Sequence, residues 1–124
     1  MGGRRGFTLI ELLVVMAVFG LVVAISFPAL GKFKSSIFLE VSARKLASDL
    51  RQCQVNAVTR GESVSYRLNS ANLAQGIILR NDKEFIFSRT GYTQPGGSGT
   101  QRLASKSGQE KSIVVSSVGR VRIE

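Results

Sequence analysis

A continuous apolar segment near the amino terminus restricts the possible folds of this chain more than any other feature. From Phe7 to Leu30, the 24 residues include one ionisable side chain, Glu11. As an α-helix with a rise of about 1.5 Å per residue, the segment measures about 36 Å, which is enough to cross the hydrocarbon core of a bilayer. We therefore predict a membrane-spanning helix over residues 7–30. The 94 residues that follow it are enough for one small domain and too few for two.

The residues before the apolar segment form a very short basic leader, Met-Gly-Gly-Arg-Arg-Gly. An ordinary secretory signal is cleaved after its apolar region, whereas here the small residue Gly6 precedes that region. Cleavage at Gly6 would leave the apolar helix at the start of the mature protein. The carboxylate of Glu11 costs roughly 2.5–3.5 kcal/mol inside a membrane helix, so it is expected to have a partner. A plain signal anchor that tolerates one glutamate is the alternative.

The stretch from Gly6 to Val15, Gly-Phe-Thr-Leu-Ile-Glu-Leu-Leu-Val-Val, resembles the class III leader junction of type IV pilins and type II secretion pseudopilins. The resemblance implies that a prepilin peptidase cleaves after Gly6 and methylates the new amino terminus, Phe7. It also implies that the Glu11 carboxylate pairs with the amino-terminal amine of a neighbouring subunit during filament assembly. The expected partners are thus other pilin or pseudopilin subunits, prepilin peptidase and the inner (cytoplasmic) membrane.

The charges around the apolar segment do not set its orientation, because Arg4 and Arg5 before it are matched by Lys32 and Lys34 after it. The resemblance implies that the leader, residues 1–6, stays in the cytoplasm. Residues 31–124 would then form a domain outside the cytoplasm on a single-pass anchor, and later in a pilus or pseudopilus.

A second helical pattern follows Gly31. Small and apolar residues recur there at spacings of three and four, with charged residues between them, which predicts a helix that lays one face on a domain and ends near Gly61. The members of this stripe are Leu39, Ala43, Leu46, Leu50, Cys53 and Ala57. Cys53 is interpreted as a buried small side chain, with an intermolecular disulfide as the alternative.

After Glu62 the pattern changes to alternation with a period of two, which is typical of short strands. The predicted strands cover Val64 to Leu68, Gly76 to Leu79, Glu84 to Ser88, Ser112 to Ser116 and Gly119 to Ile123. The segment from Gly91 to Gly108, rich in Gly, Ser and Thr, is interpreted as a mobile surface loop. Together the elements predict an α+β fold in which a long amino-terminal helix packs against a small antiparallel β-sheet domain, as in pilins.

The chain has 17 basic and 8 acidic residues, so a polyanion is a candidate partner. If Gly119 to Ile123 is a strand, Arg120 and Arg122 project from the same face, and guanidinium groups bind phosphate in a bidentate manner. A neighbouring loop is expected to add Arg102, Lys106 and Lys111 to this patch. Gly119 would let a backbone approach closely.

Three segments narrow the resemblance to the pseudopilin H and FimT-like minor pilin group: the helix end Arg60-Gly61, the strand Phe85-Ile86-Phe87 and the stretch Val118 to Ile123. In FimT-like minor pilins of naturally competent bacteria, a Gly-Arg-x-Arg stretch binds DNA, and residues 119–122 fit that pattern. Double-stranded DNA is therefore a candidate partner. The sequence lacks the cysteine pair that some FimT-like proteins carry, since Cys53 is its single cysteine.

Three roles remain open within this class: DNA capture by a type IV pilus during natural transformation, protein export in a type II secretion pseudopilus, and pilus priming. A membrane-anchored enzyme is the alternative from another class. The chain has no histidine and its carboxylates show no paired spacing, so the sequence predicts no catalytic, metal or cofactor site and a protein that is not an enzyme.

Overall fold

A computed structural model describes residues 6–124 of the chain. It contains one long helix followed by a short 3₁₀ turn and six strands. The elements are α1 Leu9–Arg60, β1 Val64–Arg67, the 3₁₀ turn Ser70–Asn72, β2 Ile77–Leu79, β3 Glu84–Phe87, β4 Gly99–Ser105, β5 Glu110–Val115 and β6 Val121–Ile123. The predicted α+β fold, with a long helix packed against small antiparallel sheets, is confirmed.

The chain divides into two compact units, Met1–Phe33 and Lys34–Glu124. We call them the first unit and the second unit. In the described part of the first unit, the large apolar side chains are exposed, and Phe19, for example, is 67% exposed. The second unit contains the whole buried core of the described chain.

The core of the second unit forms on the predicted helical stripe. Leu39, Ala43, Leu46, Leu50 and Ala57 are all at most 2% exposed, because their spacing places them on one face of α1. They pack with the buried strand residues Phe85, Phe87, Leu103, Ile113 and Val115. Cys53 is half-buried at the edge of this cluster as a free thiol, and burial, followed by the nearby Asp49 carboxylate, raises its pKa.

The helix ends where the sequence predicts. Gly61 follows its last residue with φ +67°, a left-handed conformation that favours glycine, and the Glu62 N–H donates to the Ala57 carbonyl at 3.2 Å. The chain leaves the helix at this point and enters β1 at Val64.

The six strands form two antiparallel sheets. One has two strands, β1 and β3, and the other has four strands in the order β2-β4-β5-β6. In the larger sheet Leu103 of β4 lies opposite Lys111 of β5, and Ile113 of β5 lies opposite Ile123 of β6. Residues on one face of this sheet, such as Leu103 and Ile113, pack into the core. We call that face the inner face and the opposite one the outer face.

One prediction about this region is wrong. The segment from Gly91 to Gly108 is not a loop throughout, since it contains β4, the longest strand of the domain, with β2 on one side and β5 on the other. The strand is held by its register with β5 and by buried inward residues, Gln101, Leu103 and Ser105. The last strand is also shorter than expected: Gly119 and Arg120 precede β6 as part of the turn after β5.

Candidate functional site

The proposed cleavage junction lies just before the helix. Gly6, Phe7 and Thr8 are exposed and not helical, and α1 begins at Leu9. Thr8 caps the helix: its hydroxyl oxygen accepts from the Glu11 N–H at 3.3 Å, and its carbonyl accepts from the Leu12 N–H at 3.2 Å. The other residues of the predicted leader, 1–5, lie outside the described residues. The bond between Gly6 and Phe7 is thus in an accessible segment.

Glu11 occupies the first turn of α1. A carboxylate there is favoured by the partial positive charge of the helix amino terminus. Within residues 6–124 its carboxylate makes no ion pair. The side chain is exposed, so the partner expected from the sequence has to come from outside the described chain.

The helix that follows the junction is long and apolar enough to cross a membrane, and none of its most apolar stretch is buried inside the chain. A core helix of a soluble domain would bury that stretch against its own chain. This exposure and composition fit membrane anchoring.

The predicted arginine patch is partly assembled. Arg120 lies opposite Ser116 in the turn, Arg122 lies opposite Val114 in β6, and both side chains are exposed while Val121 between them is buried. Arg102 lies opposite Ser112 on the same outer face, because residues paired across strands share a face. Within residues 6–124 these three arginines have no acidic partner.

The sequence did not single out a fourth arginine of this surface. The Arg80 N–H donates to the Arg102 carbonyl at 3.1 Å, so Arg80 continues β2 beside Arg102 on the outer face. Its guanidinium binds Glu110 at 3.0 Å. We call Arg80, Arg102, Arg120 and Arg122 the outer arginines.

Two lysines assigned to the patch lie elsewhere. Lys111 is opposite Leu103, so its side chain leaves from the inner face, and its ammonium pairs with the Glu40 carboxylate of α1. Lys106 follows β4 at the far end of the sheet from Arg120, about 26 Å away along the strand direction at the usual rise per strand residue. Lys111 is displaced because successive residues of a strand alternate between the two faces. Lys106 is displaced because the antiparallel hairpin of β4 and β5 places the end of β4 far from the start of β6.

Gly119 has a packing role. It is buried with φ +80°, and a Cβ there would overlap the Gly91 carbonyl oxygen and the Gln54 amide. The Gln54 side-chain amide donates to that carbonyl at 2.6 Å. The glycine therefore allows the turn before β6 to lie against α1.

Two further polar groups join the helix to the strands. Lys111 and Arg44 both bind Glu40, and these hydrogen bonds, Lys111 first, lower the pKa of the Glu40 carboxyl. The Tyr66 hydroxyl of β1 donates to Asp49 at 3.2 Å, and burial, followed by the charge of Asp49, raises the pKa of Tyr66 to about 12. The sequence gives no signal for the Lys111–Glu40 or the Tyr66–Asp49 contact, since these partners are far apart along the chain.

Comparison with protein families shows that residues 1–27 match the prokaryotic N-terminal methylation motif. This motif marks a type IV pilin-like prepilin signal, and its residues include Gly6, Phe7 and Glu11. No curated protein and no solved structure matches the chain.

Proposed function

We propose that this protein is a minor pilin-like subunit of a type IV pilus or pseudopilus. Prepilin peptidase cleaves it after Gly6 and methylates Phe7, and residues 7–30 first anchor it in the cytoplasmic membrane and then pack inside a filament. The observation that carries this proposal is the methylation motif at residues 1–27 together with the most apolar stretch of α1, which no part of the described chain buries. Residues 31–124 would form the domain outside the cytoplasm.

The geometry of the junction supports cleavage at this site. Proteases bind extended and accessible chain more readily than helix, and the Gly6–Phe7 bond precedes the Thr8 cap. The exposed Glu11 carboxylate supports assembly, because a buried charge in a membrane or a filament core requires an opposite charge. The amine of Phe7 in an adjacent subunit supplies one.

The cleavage proposal is tested by coexpressing the full chain with a prepilin peptidase and measuring the mass of the membrane-bound product. Gly6→Val is expected to remain as the full-length precursor, because the bulky side chain blocks the position before the cut. Gly3→Val, a matched change inside the leader, is expected to be processed normally. Normal processing of Gly6→Val contradicts the assigned junction.

The assembly proposal is tested with Glu11→Val and Glu11→Gln in a cell that forms the filament. Both variants are expected to reach the membrane, since removing a charge favours insertion, and both are expected to be depleted from isolated filaments. Filament content equal to that of the wild type contradicts the pairing of Glu11 with the Phe7 amine.

The outer arginines favour a second function, binding of double-stranded DNA for natural transformation. Arg102, Arg120 and Arg122 project from one face without an acidic partner in the described chain, so their charges are available to phosphates. Gly119 contributes by placing Arg120 at the turn. Lys111, whose side chain leaves from the inner face, and Lys106, which follows β4 at the far end of the sheet, are proposed as peripheral to DNA contact. A type II secretion pseudopilin of the H type, acting in protein export, is the alternative role.

DNA binding is measured with the full chain in micelles of an uncharged detergent and a labelled duplex, across a series of salt concentrations. Arg120→Ala/Arg122→Ala is expected to weaken binding and to reduce the dependence of log K on log salt by about 0.9 for each phosphate that the variant no longer neutralises. Lys45→Ala/Arg60→Ala removes two exposed charges of α1 and serves as the control. Equal weakening by both double variants contradicts a site at the outer arginines and favours the secretion or priming role.

A further inference from the structure

The free edge of β6 is the starting point of this inference. β6 is the last strand of the four-stranded sheet and pairs only with β5. The backbone groups of Glu124 exchange hydrogen bonds with Ser112 at 2.7 and 2.8 Å, and the Ser116 N–H donates to Arg120 at 3.0 Å. In an antiparallel ladder such pairs alternate with residues whose N–H and C=O point away. Val121 and Ile123 therefore present their backbone groups to the open side.

The chain itself covers the free side of β3 and part of the free side of β2. The far side of β3 is occupied by the segment at residues 92–94, which bonds to Ile86 and Ser88 at 2.9 and 2.8 Å. At β2 the outward N–H of Ile77 donates to the Ala74 carbonyl at 3.1 Å. Val121 and Ile123 have no such internal bond within residues 6–124. An uncovered edge is a template for another strand.

An open cleft of about 500 Å³ lies beside this edge. It is lined by the apolar residues Ala47 and Ile123 and by the charged residues Glu40, Arg44, Arg51 and Lys111. Glu40 binds both Arg44 and Lys111, whereas Arg51 is exposed and has no ion pair among the described residues. The cleft thus has three cations and one carboxylate.

The charges lie on both sides of the edge. A strand added to β6 would place alternate side chains toward the cleft, near Arg51, and the others toward the outer face, near Arg122. Glu124 also lies on the outer face, two residues after Arg122, so the favourable position for an acidic side chain on that face is beside Arg122. On the cleft face the favourable position is beside Arg51, and basic side chains would be repelled at both.

We propose that the β6 edge and the adjacent cleft bind an extended acidic peptide segment of a partner protein by β-strand addition. The backbone groups of Val121 and Ile123 pair with the segment, and Arg51 and Arg122 contact its carboxylates. All residues of this site belong to the second unit.

The test uses the full chain in uncharged detergent micelles and a fluorescent peptide that repeats Glu-Glu-Val-Val, so that glutamates lie on both faces of the added strand. Fluorescence anisotropy is expected to show binding, and hydrogen exchange is expected to slow at the amides of Val121 and Ile123. A peptide with lysine in place of glutamate, and one with proline at alternate positions, are expected not to bind, since the first is repelled and the second cannot pair along its length.

Two variants separate charge from backbone pairing. Arg51→Glu is expected to weaken the affinity for the acidic peptide at least about fivefold. Arg60→Glu on the same helix is expected to change that affinity less than about twofold. Ile123→Pro removes an outward N–H while keeping the pairs with β5 at Arg122 and Glu124, and it is expected to weaken binding about fivefold. Thermal unfolding of each variant shows whether its fold is kept.

The proposal is overturned by any of four results. These are no binding of the acidic peptide at low salt, equal binding of the proline-containing acidic peptide, equal weakening by Arg60→Glu, and unchanged exchange at Val121 and Ile123 when the peptide is bound. Duplex DNA that protects the same two amides and displaces the peptide would also overturn it, because the cleft would then be a general polyanion surface.

Discussion

The helix α1 carries apolar side chains in both units, but only the second unit buries them. In the first unit Phe19 and Leu21 are 67% and 65% exposed, while in the second unit Leu46 and Leu50 are 1% and 0% exposed. The first stretch is apolar all round, and the second is apolar along one stripe with charges elsewhere. Burial therefore follows the pattern of apolar residues and the presence of a matching surface, and the number of apolar residues alone does not decide it.

The two units also differ in what stabilises them. The second unit supplies its own partner for the helix, namely the inward residues of both sheets. The first unit supplies none in the described chain, which fits contact of its apolar side chains with lipid or with neighbouring helices. Substitutions should accordingly affect the folding of the second unit and the membrane or filament behaviour of the first.

The largest expected difference is between Leu50→Ala and Leu21→Ala. Leu50→Ala removes a fully buried side chain and is expected to lower the free energy of unfolding of the second unit by about 2–5 kcal/mol. Leu21→Ala is expected to leave it unchanged within about 0.5 kcal/mol. Chemical denaturation of the full chain in micelles, followed by circular dichroism, measures both. Equal losses would break the comparison between the units.

The next largest difference is expected between the losses of stability on substituting two glycines that share a backbone conformation. Gly119 and Gly108 have φ +80° and +87°, but only at Gly119 would a Cβ meet other atoms. Gly108→Ala is expected to cost about 1–2 kcal/mol from the left-handed conformation alone. Gly119→Ala is expected to cost at least about 1 kcal/mol more, because the turn must move away from Gly91.

Thermal unfolding of the two alanine variants measures that difference, and Gly20→Ala in the first unit is the control. Its Cβ would meet nothing within 4 Å, and alanine is the better helix former, so no loss of stability in the second unit is expected. Equal costs at Gly119 and Gly108 would mean that the close approach to α1 adds no stability.

A smaller effect is expected at high pH, where Tyr66 ionises. Burial and then Asp49 raise its folded pKa from the ordinary 10.0 to about 12, so the neutral form is favoured in the fold. This contribution to stability is present below pH 10 and is lost as pH rises toward 12. The difference in ultraviolet absorbance between the wild type and Tyr66→Phe follows this titration.

Asp49→Asn is the matched variant for Tyr66, because it removes the charge and keeps a hydrogen-bond acceptor. The tyrosine is expected to titrate at lower pH in this variant, though still above 10.0, since burial is the first cause of the shift. A titration unchanged from the wild type would show that Asp49 does not act on Tyr66.

The smallest effect is expected at Glu40. Lys111 and Arg44 lower its folded pKa below the ordinary 4.5, so its contribution to stability is present above about pH 4.5 and is lost as pH falls through the folded pKa. Glu40→Gln should therefore reduce the loss of stability on acidification. The change is small, because exposed ion pairs contribute little and salt screens them.

Thermal midpoints recorded from neutral to acid pH test the Glu40 prediction. Glu62→Gln, whose carboxylate has no ion pair in the described chain, is the control and should follow the wild type. If Glu40→Gln also follows the wild type at every pH, the link between α1 and Lys111 does not contribute to the stability of the second unit.

Several parts of the fold follow from local pattern. The stripe from Leu39 to Ala57 and the stop at Gly61 were predictable because helical periodicity and the left-handed glycine act within a few residues. Strand β4 was missed because it lacks such a local signal. Its inward residues include the polar residues Gln101 and Ser105, so apolar residues do not alternate along it. The Gln101 side chain is buried, and its amide N–H donates to the Asn81 carbonyl at 2.5 Å, a contact between distant segments.

The candidate sites divide in the same way. The junction at Gly6, Phe7 and Glu11 is a contiguous motif, and the methylation motif matched at residues 1–27 includes it. The basic patch depends on which residues share a sheet face, and a single step in register sends Lys111 to Glu40 while Arg102 stays on the outer face. Its role in DNA binding stays a prediction.

By itself, the sequence determined that one segment is too apolar to remain in water, that it carries a prepilin-type junction, and that a helix continues to Gly61. These properties depend on composition and on neighbours along one element. Only the tertiary structure decided that β4 lies inside the larger sheet, that the outer arginines share a face, and that the edge of β6 remains open beside Arg51. The reason is that strand order and register are set by packing and hydrogen bonds between residues far apart in the chain, which leave no short-range pattern in the sequence.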